Sequence, residues 1–451
     1  MISRLPSSFA ASCPVVRAIA AALCAAVLAG GARAEAQAKA EDWSVHGQFT
    51  FVSQHQPAFV APYSGDNSLQ PSRATKETAD LTLYLGRRLW QGAALYINPE
   101  VDQGFGLSGT LGAAGFPSGE AYKVGSNAPY TRLNRLFLRQ VIALGTETEA
   151  VASSANMLGG LQPADRLTLS VGKFSVGDVF DTNGYAHDPR ADFLNWSIIE
   201  AGAFDYAADA WGFTRGFSAD WQTGDWSLRG GLFALSDVPN SIRIDTSFQQ
   251  RSWMLEAEHR HQIGGQPGSA RLLGFVNRGR IGRYDDAVAL AAGTGGVPDT
   301  AAVRQRGSKA GWALNVEQAL NADVGAFLRL SASTGDFEAY DFTEINRSVS
   351  GGLALKGSLW GTPGHGAGVG VAVNDISGAA RRYFAAGGLG ILIGDGQLPH
   401  PGPEQILEAF YTVALTPSLR VGGDVQHIVN PAYNRDRGPV SVYGLRLHAE
   451  F

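Results

Sequence analysis

The stretch from Phe180 to Trp196 (FDTNGYAHDPRADFLNW) holds the densest set of side chains able to do chemistry. Asp181, Asp188 and Asp192 with His187 offer the oxygen and imidazole ligands that a divalent cation takes. The same residues also suit turns, where Asp and Asn bond nearby backbone amides, and Asp188-Pro189 is a turn starter. The turn role is favoured over metal ligation. Trp196, Phe193 and Tyr185 add flat faces and Arg190 a planar fork, a combination suited to narrowing a passage.

A second grouping is dispersed along the chain. Arg135 and Arg139 lie four apart, on one face of an extended strand, and Glu100, Glu256, Glu258, Glu408, Asp424 and Arg446 occupy the polar faces of other alternating stretches. Arginine forks donate to hydroxyl oxygens, carboxylates accept from hydroxyls, and aromatic rings stack on sugar faces. A dication would instead need acidic predominance, for which Glu100, Asp102, Asp181 and Asp188 are the candidates. No GxSxG or HExxH motif accompanies the Ser, His and Asp residues. A barrel hydrolase is therefore only an alternative of another class. Gly104-Phe-Gly106-Leu-Ser-Gly109 matches GxGxxG but lacks the strand and helix that a dinucleotide site requires. No cofactor is expected.

The elements that must position these groups are strands. Tyr443, Leu445, Leu447, Ala449 and Phe451 alternate with Gly444, Arg446, His448 and Glu450. Leu81, Leu83 and Leu85 alternate with Thr82, Tyr84 and Gly86, and the same pattern recurs along the chain. About sixteen such stretches occur, many near the length that crosses a bilayer as a tilted strand. Tight connections at Gln222–Asp225, Gly264–Pro267, Leu320–Asn321 and Thr416–Ser418 alternate with long ones at Ser53–Glu77, Asp102–Thr131, Ser175–Gly212, Arg280–Gly307 and Gly378–Pro403. The connection Gly145–Ala164 should be short by this rule and is not.

Short turns on one side and long loops on the other predict an all-β fold, a closed antiparallel transmembrane barrel with short periplasmic turns and long extracellular loops. In hydrocarbon every backbone polar group must pair internally, so the sheet has to close. Trp90, Trp253, Trp360 and Phe451 sit at strand ends, as an interfacial girdle would. A sixteen-strand lumen is too wide for side chains to fill, so loops must narrow it.

The first 34 residues have a different character. Arg4 and Arg17 precede or begin the apolar run Ala18–Gly30, and Ala32-Arg33-Ala34 is a small-x-small cleavage site, the pattern of a secretory signal. Leu23 before Cys24 does not suit a lipid anchor. Residues 35–451 then form the barrel domain. Cys13 and Cys24 are the only cysteines, so the exported chain would have none, and no disulfide or thiolate site. Of 36 Lys and Arg against 41 Asp and Glu, export removes three basic residues and no acid, which leaves an acidic chain unsuited to nucleic acid. Fifty-seven glycines, a 45% hydrophobic content and a mean hydropathy of -0.05 fit alternating wet and lipid-facing positions.

The chain resembles the carbohydrate-selective porin family (OprB-type). The stretch Leu419–Val440, a strand with Asp and Gln followed by Asn-Pro and Arg-Gly-Pro, resembles that family's closing hairpin. The stretches Asn98–Gly106, Phe116–Tyr122 and Gly172–Ser175 resemble a subgroup that includes high-affinity manganese porins. The resemblance implies a sixteen-stranded, commonly trimeric channel in the Gram-negative outer membrane, in contact with its lipid and passive toward small sugars. It also implies an arginine-rich constriction, which Arg135 and Arg139 could match, and it leaves Mn²⁺ as an alternative solute.

Overall fold

The computed structural model describes residues 40–451, so the leader and the cysteines read above lie outside the described residues. The first strands are β1 (Trp43–Gln56), β2 (Ala74–Trp90), β3 (Ala93–Gly104) and β4 (Ser126–Ala143). A small separate hairpin follows, β5 (Thr148–Val151) with β6 (Gly160–Pro163). Then come β7 (Arg166–Phe174), β8 (Thr214–Thr223), β9 (Trp226–Ala234), β10 (Arg251–Ile263), β11 (Gln266–Ile281) and β12 (Gln305–Ala319). The last six are β13 (Val324–Ser333), β14 (Arg347–Lys356), β15 (His365–Asp375), β16 (Glu404–Thr416), β17 (Leu419–Val429) and β18 (Val440–Glu450).

All strands but β5 and β6 form one closed antiparallel barrel of sixteen. Each pairs with its sequence neighbour, β4 pairs with β7 across the hairpin, and β18 returns to β1. At that seam Gln48 faces Glu450, and Phe451 and Gly47 exchange backbone bonds of 2.7 and 2.9 Å. A Cβ at position 47 would lie 2.4 Å from the Phe451 ring, so any larger residue there would displace that terminal side chain.

The alternation seen in the sequence sorts the residues as expected. Leu136, Phe217, Leu228, Leu255, Val371 and Leu445 are exposed on the outer face, a surface that only lipid can cover well. Their strand neighbours point inward and are buried or half-buried. The turns 224–225, 264–265 and 417–418 lie at one rim, and the loops 175–213, 282–304 and 376–403 at the other. Three short helices sit in the loops: α1 (Trp196–Ile199), α2 (Tyr284–Thr294) and α3 (Gly378–Ala385). No described helix is long and apolar enough to cross a membrane.

The interior is packed much as a soluble protein is. Phe174, Phe180, Phe204, Phe233, Phe275 and Tyr340 belong to one buried apolar cluster, and Phe193, Ile198, Phe327 and Ile406 to another. Much of this core comes from loops folded into the barrel.

Candidate functional site

Irregular backbone inside a barrel needs partners for its N–H and C=O groups. Residues 175–213 find theirs on the inward faces of the strands. Asp181 is the deepest anchor: its amide donates to Glu256 Oε2 at 2.9 Å, and its carboxylate accepts from Asn315 Nδ2 at 2.6 Å and Ala201 N at 2.6 Å. Arg329 of β13 donates to the same carboxylate at 3.2 Å and to the Ile198 carbonyl at 2.8 Å. Glu317 accepts from Gly184 N at 2.5 Å. On the opposite wall Arg446 donates to the carbonyls of Pro189, Ala191 and Asp192 at 2.6, 3.1 and 2.8 Å. Glu408 accepts from the amides of Leu194 and Asn195 at 2.5 and 3.0 Å. The loop thus crosses the lumen and is fixed on both walls.

Residues 105–125 dock beside it. Glu404 accepts from Ala114 N and Gly115 N at 3.0 and 2.6 Å. Gln54 and Gln426 both donate to the Pro117 carbonyl, at 2.8 and 2.7 Å. Trp196 is then sandwiched between Phe116 and Phe342, with ring centroids 5.0 and 4.8 Å away and near-parallel planes. Both of its faces are occupied, so it presents an edge to the cavity.

The space left between these loops and the β1–β4 wall is a cavity of about 400 Å³. Arg135 enters it holding Asp178 in a fork, with N–O distances of 2.7 and 2.6 Å and the Phe213 ring 4.9 Å away. Arg190 lies 3.4 Å from Glu120, 3.6 Å from Asp80 and 3.8 Å from Asp188. Burial pushes the Lys123 amine down to about 8, so at neutral pH it is still mostly charged. Burial and neighbouring Asp181 hold the Glu200 carboxyl well above the usual carboxylate range. The lining therefore sets Lys123, Arg135 and Arg190 against Asp178, Asp188, Glu120 and Glu200, and burial holds the Glu120 carboxyl, like that of Glu200, well above the usual range, so the surface carries no acidic surplus.

A third element enters from the other rim. The long β4–β7 connection folds into the barrel mouth, and its tip, Ala155-Asn156, reaches the same cavity. Asn156 and Asn98 exchange amide bonds of 2.8 and 3.0 Å, and Arg139 donates to the Asn156 carbonyl at 2.8 Å. Ser153 meets His46 at 2.9 Å, and Gly159 meets Glu41 at 2.8 Å. The extra residues that break the short-turn rule are therefore a built insertion.

The residues singled out in the sequence have distinct placements. Arg135 and Arg190 line the cavity, while Arg139 holds the inserted tip. Glu100 is buried beneath residues 105–125, accepting from Thr82, Tyr122 and Asn134 at 2.6, 3.3 and 2.5 Å. Asp102 is buried beside it, and among the described residues no N–H or O–H donates to its carboxylate oxygens. Glu256 and Glu258 are both bridged by Arg229, with Arg271 2.9 Å from Glu258. Asp424 accepts from Gln426 at 3.1 Å. Asp192 accepts from the amides of His187 and Asp188, each at 3.2 Å, and Asp188 accepts from Arg190 N at 2.9 Å. Those carboxylates build turns. Among the described residues no three His, Cys, Asp or Glu side chains are arranged to hold a metal ion.

Of the eight inward charges, Arg139, Glu256, Glu408 and Arg446 bind loop backbone, whereas Arg135, Glu100, Glu258 and Asp424 pair with side chains. Sequence reasoning missed Glu317, Phe116, Phe342 and the anchoring role of Arg329. Only Arg329 carried a signal, as an inward residue of an alternating stretch.

One loop anchor makes a pH prediction. Burial pushes the Glu344 carboxyl up from its ordinary 4.5 to about 7, although the amides of Ile391 and Leu392 donate to it. The folded form prefers the neutral acid, so this contribution is complete below about pH 4.5 and is lost as pH rises through 7, on the order of 3 kcal/mol in all. The protection of Ile391 against hydrogen exchange, corrected for the intrinsic pH dependence of amide exchange, should fall between pH 5 and 8, and Glu344→Gln should flatten that profile.

A closed sixteen-strand barrel with an apolar exterior, loops packed into its lumen and a residual polar cavity is the architecture of an outer-membrane porin. The sequence matches the family described as "Carbohydrate-selective porin, OprB family" over residues 66–451, and the chain belongs to that family. It is 23% identical over 297 residues to porin AaxA of Chlamydia pneumoniae, a match covering 63% of this chain and 56% of that porin, little more than half its length. In fold it is similar to the high-pH structure of Pseudomonas putida OprB, with a TM-score of 0.68 and 16% identity over 91% of this chain and 94% of the other. The outer membrane channel DcaP of Acinetobacter baumannii is similar at a TM-score of 0.51 and 10% identity, over 93% of this chain and 99% of that one.

Proposed function

We propose that the chain is a passive outer-membrane channel for small, uncharged polyhydroxylated solutes, with monosaccharides the best fit. The observation that carries this is the lining of the cavity. Its arginines are already engaged with carboxylates, and aromatic edges lie beside the ion pairs. Paired charges supply donors and acceptors to hydroxyl groups without attracting either ion sign strongly. A dication channel would need an acidic surplus, which this lining lacks. The first 34 residues serve as the export signal, and the barrel carries no catalytic step.

Planar-bilayer recordings test the proposal. Glucose at millimolar levels should block the ionic current, and Mn²⁺ should not. Indifference to sugar, with block by Mn²⁺, would reverse the assignment. Trp196→Ala removes the centre of the three-ring stack and should weaken sugar block about tenfold, equivalent to 1.4 kcal/mol. Arg135→Ala frees Asp178 and should shift ion selectivity toward cations.

A further inference from the structure

The outer face carries a charge cluster that the channel does not use. Arg251, Arg278, Arg280 and Arg306 share the outward parity of Trp253, Leu255, Leu272, Val276 and Trp312. All four lie at the long-loop ends of β10, β11 and β12, one or more pleats (about 7 Å each) beyond the apolar belt. The register sets Arg251 directly opposite Arg278, and Arg280 directly opposite Arg306. Like charges in facing cross-strand positions are destabilising. Here two such pairs occupy adjacent ladders.

None of the four belongs to an ion pair among the described residues, whereas Arg243 and Arg304 close by are paired with Asp237 and Glu338. Arg251 donates only to the Phe248 carbonyl, at 3.0 Å, and Arg306 to the Gln249 side chain, at 3.2 Å. Arg347, at the same rim on β14, instead faces Asp375. The surplus of cations is therefore local.

We infer that this quartet binds the phosphate groups of the outer-leaflet glycolipid, with its acyl chains lying on the apolar belt below. Guanidinium forks match phosphate oxygens two at a time, and a phosphate between the strands converts two repulsive pairs into bridges. Basic clusters at a membrane boundary recognise anionic headgroups in this way. The aliphatic and tryptophan surface directly beneath commits the site to a lipid rather than to a free anion.

The test uses the full chain folded in zwitterionic detergent, with bound lipid counted by native mass spectrometry. The probes are bisphosphorylated lipid A, its dephosphorylated form and inorganic phosphate. The bisphosphorylated lipid should bind at least about tenfold more tightly than the dephosphorylated one, and R278Q/R280Q should lose that difference, while R243Q keeps it. Inorganic phosphate at millimolar levels should leave the lipid bound. Equal binding of both lipids, displacement by inorganic phosphate or an unaffected double variant would each overturn the assignment. In lipid-free detergent R278Q/R280Q should melt no lower than the parent, since it removes repulsion. A lower melting point there would show that the arginines serve the fold alone, which would also overturn it.

Discussion

Replacing Arg329 by alanine should release residues 175–213 from the β13 wall, destabilise the protein by about 3–5 kcal/mol and raise single-channel conductance. Arg329 and Asp181 are each 1% exposed, so truncating the arginine strands a carboxylate in the core with only neutral donors. It also leaves the Ile198 carbonyl without its partner. Calorimetric melting and bilayer recording read the two effects separately. Because much of the loss comes from an unpaired charge, the double variant D181N/R329M, which keeps an oxygen acceptor for Asn315 and Ala201 and a residue that tolerates the left-handed backbone at 181, should recover part of the stability while the loop stays loosened. Unchanged melting and conductance in Arg329→Ala would show that the remaining anchors, Arg446 and Glu408, hold the loop by themselves.

The second large effect is expected at the opposite rim. Joining Gly145 to Asp165 through a two-residue turn, with the β5–β6 hairpin removed, should raise conductance and admit larger saccharides. The bond between Leu144 N and the Asp165 carbonyl, at 2.9 Å, would keep the flanking strands in register. The point variant Asn156→Ala separates packing from blockage. It leaves both the nitrogen and the oxygen of the buried Asn98 amide without their partners and should cost about 1–3 kcal/mol with a smaller change in current. With Cys13 and Cys24 replaced by serine, Ala155→Cys should react with a charged thiol reagent added from the periplasmic side and reduce the current. Conductance indifferent to the excision would place the narrow point wholly among the extracellular loops.

Strand face and strand order were legible because a period of two is a direct record of which side a residue points to. Arg446, Glu408 and Glu256 could be placed inward on that basis alone. Their partners could not, because hydrogen bonds between a strand and a loop 75 to 257 residues away leave no periodic trace. Glu408 needed the amides of Leu194 and Asn195 to make sense, and Arg446 needed the carbonyls of 189–192. Trp196 was read as a flat face suited to narrowing a passage, but its two stacking partners come from separate loops. The unusual length of 145–164 was visible in the sequence, whereas its inward direction depended on Asn98, Arg139 and His46 on three different strands.

The seating of residues 175–213 also bears on how the barrel assembles. The anchors that hold this loop lie far along the chain, with Glu408 214 residues from Leu194 and Arg446 257 residues from Pro189. Contacts of such sequence separation carry a large loop-closure cost and form late. β18, which carries Arg446, is also the strand that meets β1. Zipping of the final seam and docking of residues 189–192 on Arg446 are therefore expected to coincide. An assembly intermediate stalled before that step would have both an open sheet edge and an unobstructed pore.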